Sequence, residues 1–291
     1  KTPRLNILLV LTKIRNHAIE GLHGKQIVVD VVFQGNGKRK PVVIFSHGFK
    51  GFKDWGHFNQ TADLFAEQGF VFVKFNFSHN GCTVDNPEEC TDVEAFGKNN
   101  FSIELDDLDC VIDWITEIEE TKNEIDAASI NLIGHSRGGG ITILKAAEDK
   151  RVKKLVTWAS VSDFGDKYTE EQIEYWKQNG IIEVVNGRTG QVLPLYYQLY
   201  ENYHQNIERL SVPKAASKIN IPFLIVHGTA DEAVDFEDAI NLNNWCASSQ
   251  LIEVDNSGHT FEGQHPFNEK EGYSENLNLV ISETISFLKN D

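Results

Sequence analysis

The stretch Ser129-Ile130-Asn131-Leu132-Ile133-Gly134-His135-Ser136-Arg137-Gly138-Gly139-Gly140 constrains the fold more than any other in the chain. It reads as a buried apolar strand, a G-x-S-x-G turn and the start of a helix. A serine on so sharp a strand-to-helix turn is raised above the sheet edge with its Oγ exposed. The turn strains the serine backbone and crowds the positions two before and two after it, where Gly134 and Gly138 carry no Cβ to clash. The helix that follows, with Ile141, Ile143, Leu144, Ala146 and Ala147 in its pattern, aims its first N–H groups back at the serine. The plain alternative is a Gly-rich turn that only packs a helix tightly on a sheet.

Around this turn the chain alternates strands and helices. Strands are predicted over 26–33, 41–45, 70–75, 152–158, 221–226 and 251–254, and helices over 57–68, 101–120, 235–247 and 275–288. The continuous apolar runs Pro41-Val42-Val43-Ile44-Phe45 and Ile221-Pro222-Phe223-Leu224-Ile225-Val226 suit central parallel strands buried on both faces. Such alternation implies an α/β fold with a mostly parallel central sheet and helices on both faces. The span 160–220 breaks the rhythm. It holds a polar helix over 169–178, a hairpin around Asn186-Gly187-Arg188-Thr189-Gly190, and six of the seven tyrosines, Tyr168 to Tyr203. The organisation read from this is a core from 1–159, an inserted cap from 160–220, and a second part of the core from 221–291. Between Asn76 and Asn100 a long, polar, acidic loop is expected.

A chain of 291 residues suits one large α/β domain with an insertion. Its net charge of −16 argues against nucleic acid and anionic membranes as partners. The basic clusters at 38–40 and 150–154 read as solvated charges. No run approaches the ~18 apolar residues of a membrane span. The segment Leu5 to Leu11 resembles a signal peptide, but Thr12-Lys13-Ile14-Arg15 stands where small cleavage-site residues belong. It is read as an N-terminal strand, and a cytoplasmic location is expected. Of the four cysteines, Cys110 and Cys246 fall in helical patterns and read as buried thiols. Cys82 and Cys90 flank one polar loop, which a disulfide between them would close. No paired C-x-x-C metal site occurs, so neither metal nor cofactor is expected.

A serine hydroxyl is a weak nucleophile and needs a base, which in turn needs an acid to fix its tautomer. For a serine on this kind of elbow the acid and then the histidine follow it in the chain. Asp231, in His227-Gly228-Thr229-Ala230-Asp231, and His259, in Asp255-Asn256-Ser257-Gly258-His259, come in that order. Each follows a predicted strand, at the same sheet edge as Ser136. Asp163 and Asp235 are rivals for the acid, Asp235 with a helix cap as its other reading. His265 is the rival base. The remaining loop histidines, His17, His57 and His204, read as surface residues. An oxyanion needs two N–H donors: one from Arg137, after the nucleophile, and one from the early loop His47-Gly48-Phe49, where Gly48 permits close approach and Phe49 N–H is the candidate. His47 reads as a ring that buttresses this loop, and His135 as packing beside the elbow.

The motifs F-S-H-G-F, V-K-F-N-F-S-H-N-G, I-G-H-S-R-G-G, V-H-G-T-A-D and N-S-G-H-T-F stand in that order, each at a predicted strand end. Together they resemble the α/β-hydrolase superfamily. Within it the chain is similar to the serine esterases related to cinnamoyl and feruloyl esterases and to serine aminopeptidase-like hydrolases. The resemblance covers about residues 27–290 and is weakest in the cap; the acidic loop after Gly81 is longer than in compact members. It implies Ser136 as nucleophile, Asp231 as acid, His259 as base, and Phe49 and Arg137 amides as the oxyanion hole. The expected activity is cofactor-independent hydrolysis of acyl esters, with a peptidase or thioesterase as alternatives on the same residues and a non-catalytic binding protein as a third class. The tyrosines of the cap either stack on an aromatic or bulky acyl group or simply hold the cap on the core. A small-molecule ester is the expected partner, and a homodimer stays open.

Overall fold

The computed structural model describes residues 10–165 and 168–290. The expected strand over Leu5–Leu11 lies outside them except at its end, where β1 (Leu11–Glu20) begins. The other strands are β2 (Gln26–Gln34), β3 (Lys40–Ser46), β4 (Val71–Asn76), β5 (Ile125–His135), β6 (Val152–Trp158), β7 (Ile181–Val185), β8 (Val192–Tyr196), β9 (Phe223–Gly228) and β10 (Ser249–Val254). The helices are α1 (Phe58–Glu67), α2 (Val93–Lys98), α3 (Phe101–Glu117), α4 (Arg137–Glu148), α5 (Glu170–Asn179), α6 (Gln198–Gln205), α7 (Ile207–Leu210), α8 (Val212–Ala216), α9 (Phe236–Trp245) and α10 (Glu275–Lys289).

Eight strands form one sheet in the order β1-β2-β4-β3-β5-β6-β9-β10. β1 and β2 run antiparallel at one edge, and every pair from β4–β3 to β9–β10 is parallel. The alternation seen in the sequence therefore builds the mostly parallel sheet it predicts. Within β3 the two-residue period sends side chains to opposite faces. Val42 and Ile44 join Leu105, Leu108 and Val111 of α3, and Ala239 and Leu242 of α9. Val43 and Phe45 join Phe58, Ala62 and Phe65 of α1, and Val280 and Ile281 of α10. Both faces are dry, which is why the central strands read as unbroken apolar runs.

Three boundaries differ from expectation. The acidic loop contains α2, because Asp92 caps it by accepting from Ala95 N at 3.0 Å. β5 starts at Ile125 rather than at residue 129, paired with Lys40 across the sheet. α3 stops at Glu117, where Ile118 turns extended. All four cysteines are free thiols, and Cys110 is half-buried rather than buried. Among the described residues no helix is long and apolar enough to cross a membrane.

The span 160–220 holds α5 to α8 and the antiparallel pair β7–β8. α5 opens with a capping box, Thr169 with Gln172. Trp176, Leu193, Leu195, Leu199 and Tyr203 belong to the same apolar cluster as α3 and α4, so this segment shares the core of the sheet. Tyr196 Oη donates to Glu94 Oε2 at 2.5 Å, and Gln198 Nε2 donates to the Asn99 carbonyl at 2.8 Å. These contacts fasten it to α2 and to the start of α3.

One buried charge cluster stands inside the apolar sheet. Lys74 Nζ of β4 lies 2.8 Å from Asp30 Oδ2 of β2. Lys53 Nζ lies 3.0 Å from Asp30 Oδ1, and Asp54 pairs with both lysines. Burial opposes ionisation of Asp30, but Lys74 and Lys53 outweigh it and hold the carboxyl well below its usual range. Lys53 and Asp54 lie on the loop after β3. The cluster therefore ties that loop to the sheet a few residues from Phe49.

Candidate active site

The carboxyl ends of β3, β5, β9 and β10 lie at one edge of the sheet and deliver four loops to it. Ser136 follows β5 with φ 57° and ψ −123°, a backbone state that L-residues rarely hold without support. The support is tight packing around the turn. A Cβ on Gly134 would stand 2.4 Å from the Gly138 carbonyl oxygen, and one on Gly138 would stand 2.4 Å from the Ser46 carbonyl oxygen. Both glycines are required by close approach rather than by their own dihedrals. The N–H of Ser136 donates to the Trp158 carbonyl at 3.0 Å, which pins the elbow to β6.

The loops after β9 and β10 bring the imidazole and the carboxylate together. His259 Nδ1 lies 2.8 Å from Asp231 Oδ2. The ionised carboxylate has only acceptors, so Nδ1 carries a proton, and in the neutral ring it is Nε2 that keeps the lone pair. The Asp231 side chain is 0% exposed while that of His259 is 23% exposed. Burial raises the energy of the Asp231 charge, but His227, His259 and the Val234 N–H outweigh it and hold the carboxyl well below the usual range. Asp231 Oδ1 accepts from Ala233 N at 2.8 Å and Val234 N at 3.0 Å. Oδ2 also lies 3.2 Å from His227 Nε2. Asp231 is thus fixed from both oxygens, and it is this fixing that orients His259.

Ser136, His259, Gly48 and Phe49 line one cavity, together with Trp55 and Phe58. Neither Phe49 N–H nor Arg137 N–H donates to a protein acceptor among the described residues. Arg137 stands in the first turn of α4, where no carbonyl four residues back exists to take its proton. Gly48 makes the approach possible, since a Cβ there would lie 2.8 Å from Ser136 Cβ. His47 buttresses the loop from within. Its Nδ1 donates to the Gly48 carbonyl at 2.8 Å and its Nε2 faces Asn80 Nδ2 at 3.3 Å. Burial pushes the His47 ring down to about 4, so it stays neutral. His135 packs beside the elbow. Its Nε2 donates to the His259 carbonyl at 3.0 Å, and burial pushes it down to about 3.

The rivals lie elsewhere. Asp235 caps α9 by accepting from Glu237 N at 2.9 Å. Asp163 accepts from Gly165 N and from Tyr203 Oη. His265 Nδ1 accepts from Gly56 N at 2.9 Å. None of these three bonds with His259 or Asp231. His57 is buried, not a surface residue, with Nδ1 2.9 Å from Thr61 Oγ1. No group of three or more metal-ligating side chains occurs among the described residues.

Sequence reasoning gave His227 no role, although it stands four residues before Asp231. Its Nε2 meets both the Val234 carbonyl at 3.0 Å and Asp231. It also missed Asn80, whose bond to His47 crosses from the loop after β4. His227 is marked only as a polar residue near the end of the apolar strand β9, and Asn80, four residues beyond β4, carries no such mark.

Above α4, residues of the 160–220 segment close a second cavity of about 680 Å³, part of it open to solvent. Phe101, Phe164, Tyr168, Trp176 and Tyr200 line it, with Arg137 at its wall. The Arg137 guanidinium lies 3.9 Å from the centroid of Phe49. Arg137 lines the second cavity and stacks on Phe49, which lines the first, so the two cavities meet at this pair.

The sequence model of the BD-FAE family matches residues 29–246. An uncharacterized 31.7 kDa protein in the traX-finO intergenic region of Escherichia coli is 29% identical over 153 residues, covering 53% of this chain and 48% of that one. This chain spans about half or less of the length of the curated relatives it matches. Among solved structures, Est1E from Butyrivibrio proteoclasticus with ferulic acid bound superposes with TM-score 0.71 at 19% identity, covering 94% of this chain and 97% of that one. The esterase domain of a Rhodothermus marinus protein superposes with TM-score 0.62 at 16% identity, covering 96% and 97%. These likenesses show the α/β-hydrolase fold.

Proposed function

Because the chain belongs to the BD-FAE family and is an α/β hydrolase, we propose that it cleaves carboxylic esters through Ser136, His259 and Asp231. The observation that carries the reading is that His259, held by Asp231 at 2.8 Å, lines one cavity with a serine in a strained backbone state. With Nδ1 protonated toward Asp231, Nε2 is the free base. It takes the Ser136 proton as Oγ attacks the carbonyl carbon. The N–H groups of Phe49 and Arg137 receive the negative oxygen of the tetrahedral intermediate. As that intermediate collapses, His259 returns the proton to the leaving alcohol, and an acyl ester of Ser136 remains. Water then attacks, losing a proton to Nε2, and Ser136 is released with the free acid.

The segment 160–220 is read as a cap whose cavity takes the acyl group. Est1E has been solved with ferulic acid bound, and the aromatic lining of the cavity here favours an aromatic acyl group. A small-molecule ester is the partner in this reading. Turnover of p-nitrophenyl acetate by the protein and by Ser136→Ala tests it. The variant is expected to retain its fold and lose nearly all activity, and fluorophosphonate is expected to label the parent protein at Ser136 alone. Undiminished turnover by the variant would sink the proposal. Activity on aminoacyl amides or acyl thioesters exceeding that on esters would replace it with the peptidase or thioesterase reading.

A further inference from the structure

We infer that the cap cavity is built for an acyl group that carries its own carboxylate, and that the Arg137 side chain is the residue that reads it. The inference rests on the ester-hydrolase reading and deepens it from a reaction to a substrate class. The preferred substrates are monoesters of aromatic or otherwise bulky dicarboxylic acids.

The first step is which end of an ester enters this cavity. The leaving alcohol must sit within reach of His259 to be protonated. His259 lines the cavity it shares with Ser136, Trp55 and Phe58, and it does not line the cap cavity. With the alcohol on the His259 side, the acyl group leaves the carbonyl carbon on the other, toward Arg137 and the cap.

The second step is what the guanidinium lacks. The Arg137 side chain is 15% exposed, and its Nη1 makes one long bond, 3.4 Å to Glu104 Oε1. That oxygen already accepts from Asn99 Nδ2 at 2.7 Å. Arg137 has five N–H donors, and no other side-chain acceptor meets them among the described residues. Its flat surface is near aromatic rings, Phe49 at 3.9 Å and Phe101 at 5.2 Å from the centroids. Rings satisfy a guanidinium face but leave its in-plane donors unmade. A largely buried cation so poorly paired is costly unless a ligand completes it. Burial also drives Glu104 toward its neutral form, which weakens the one ion pair Arg137 has.

The third step is what can complete it. Arginine offers donors and no acceptor, so the ligand must bring acceptors. No Asp or Glu lines the cavity among the described residues, so the one carboxylate in contact with the cation is Glu104, held off at 3.4 Å and itself not lining the cavity. A carboxylate offers two coplanar oxygens that match the fork of a guanidinium. The ring walls of Phe164, Tyr168 and Trp176 then favour a flat, apolar body between that carboxylate and the ester.

The test is a matched pair: methyl 4-carboxycinnamate and methyl 4-methylcinnamate, similar in shape and differing by the charge. The ratio of their kcat/KM values is measured for the parent protein, Arg137→Leu and Arg137→Lys, with folding of each checked by circular dichroism. Because the ratio is taken within one protein, any loss common to both esters cancels. We expect the parent to favour the carboxylate ester about 10- to 100-fold, the span of a charge-assisted contact. Arg137→Leu is expected to bring the ratio to one or below, and Arg137→Lys to fall between. A parent ratio of one or less, or a ratio unchanged in Arg137→Leu, overturns the assignment. Should the parent hydrolyse neither ester while fluorophosphonate still labels Ser136, the subsite assignment fails and the hydrolase reading stands. If Ser136 is not labelled either, the hydrolase reading itself fails.

Discussion

Gly48 packs against Ser136 so closely that an added Cβ would lie 2.8 Å from Ser136 Cβ and 3.3 Å from its Oγ. The absence of a side chain at one residue thus sets the distance between the nucleophile and the amide of the next, Phe49. Gly48→Ala must push the two loops apart, and the Phe49 N–H moves with its loop. Loss of one oxyanion donor costs about 10²–10³ in kcat. We expect a fall of that size on p-nitrophenyl acetate with KM changed far less. A kcat within threefold of the parent would remove Phe49 from the oxyanion hole.

Asp231 is held by two backbone amides and two imidazoles, and the arrangement predicts a graded series. Asp231→Asn keeps the volume but offers an N–H where His259 Nδ1 needs an acceptor, so the ring takes the wrong tautomer. In a triad this costs about 10⁴ in kcat. His227→Phe removes only one of the four contacts and leaves the 2.8 Å His259 bond in place. Its expected effect is a loss of about tenfold in kcat, the worth of a single hydrogen bond near 1.4 kcal/mol. Measuring kcat for both variants checks the order; equal losses would make His227 an essential member and not a positioning residue.

The sheet, and the loops that carry the candidate site residues, can be read from local signals. Val42 to Phe45 announce a doubly buried strand, and Gly134 and Gly138 announce the elbow between them. His259 and Asp231 stand out because each follows an apolar run that has to end at the same edge, and the structure puts them 2.8 Å apart. His57 was misplaced for the opposite reason. Its burial comes from the packing of α1 and the chain near Gly263, more than two hundred residues away, and no neighbour in sequence signals it. Glu104 beneath Arg137, Asn80 against His47 and His227 against Asp231 escaped in the same way. Each is an ordinary polar residue until the chain brings its partner to it.

The Asp30–Lys74 pair predicts a large stability effect from one substitution. Both side chains are 0% exposed, and they share Lys53 and Asp54. Lys74→Met keeps the length of the side chain but leaves Asp30 with less compensation inside the sheet. Breaking a buried pair from one side costs about 3–5 kcal/mol. Urea unfolding should show that loss, and the double variant Asp30→Leu/Lys74→Met should recover part of it. A single variant within 1 kcal/mol of the parent, to the precision of about 10–15% in such extrapolations, would mean that water reaches the cluster.

The buried histidines give the stability of the fold a pH dependence whose sign is fixed. Burial pushes His57 and His135 down to about 3, and His47 and His79 down to about 4. In the unfolded chain the same rings titrate near 6.5. Above that pH both states hold neutral rings, and the rings add no pH dependence. Below it the unfolded chain binds protons that the folded chain refuses, so acid favours unfolding. Each ring contributes about 1.4 kcal/mol per pH unit between its unfolded and folded values. The Asp231 carboxyl, held below its usual range, adds to the loss only where unfolded carboxylates begin to protonate, near pH 4. Asp107, whose carboxyl burial pushes up to about 7, works the other way and offsets about one ring between pH 7 and 4. The four rings outweigh it, so stability from urea unfolding should fall from about pH 6 to 4. His57→Gln, which removes one such ring away from Ser136, should make the slope shallower by about 1.4 kcal/mol per pH unit, whatever it does to stability at pH 8. An unchanged slope in that variant would show that His57 takes up a proton in the folded protein as readily as it does in water.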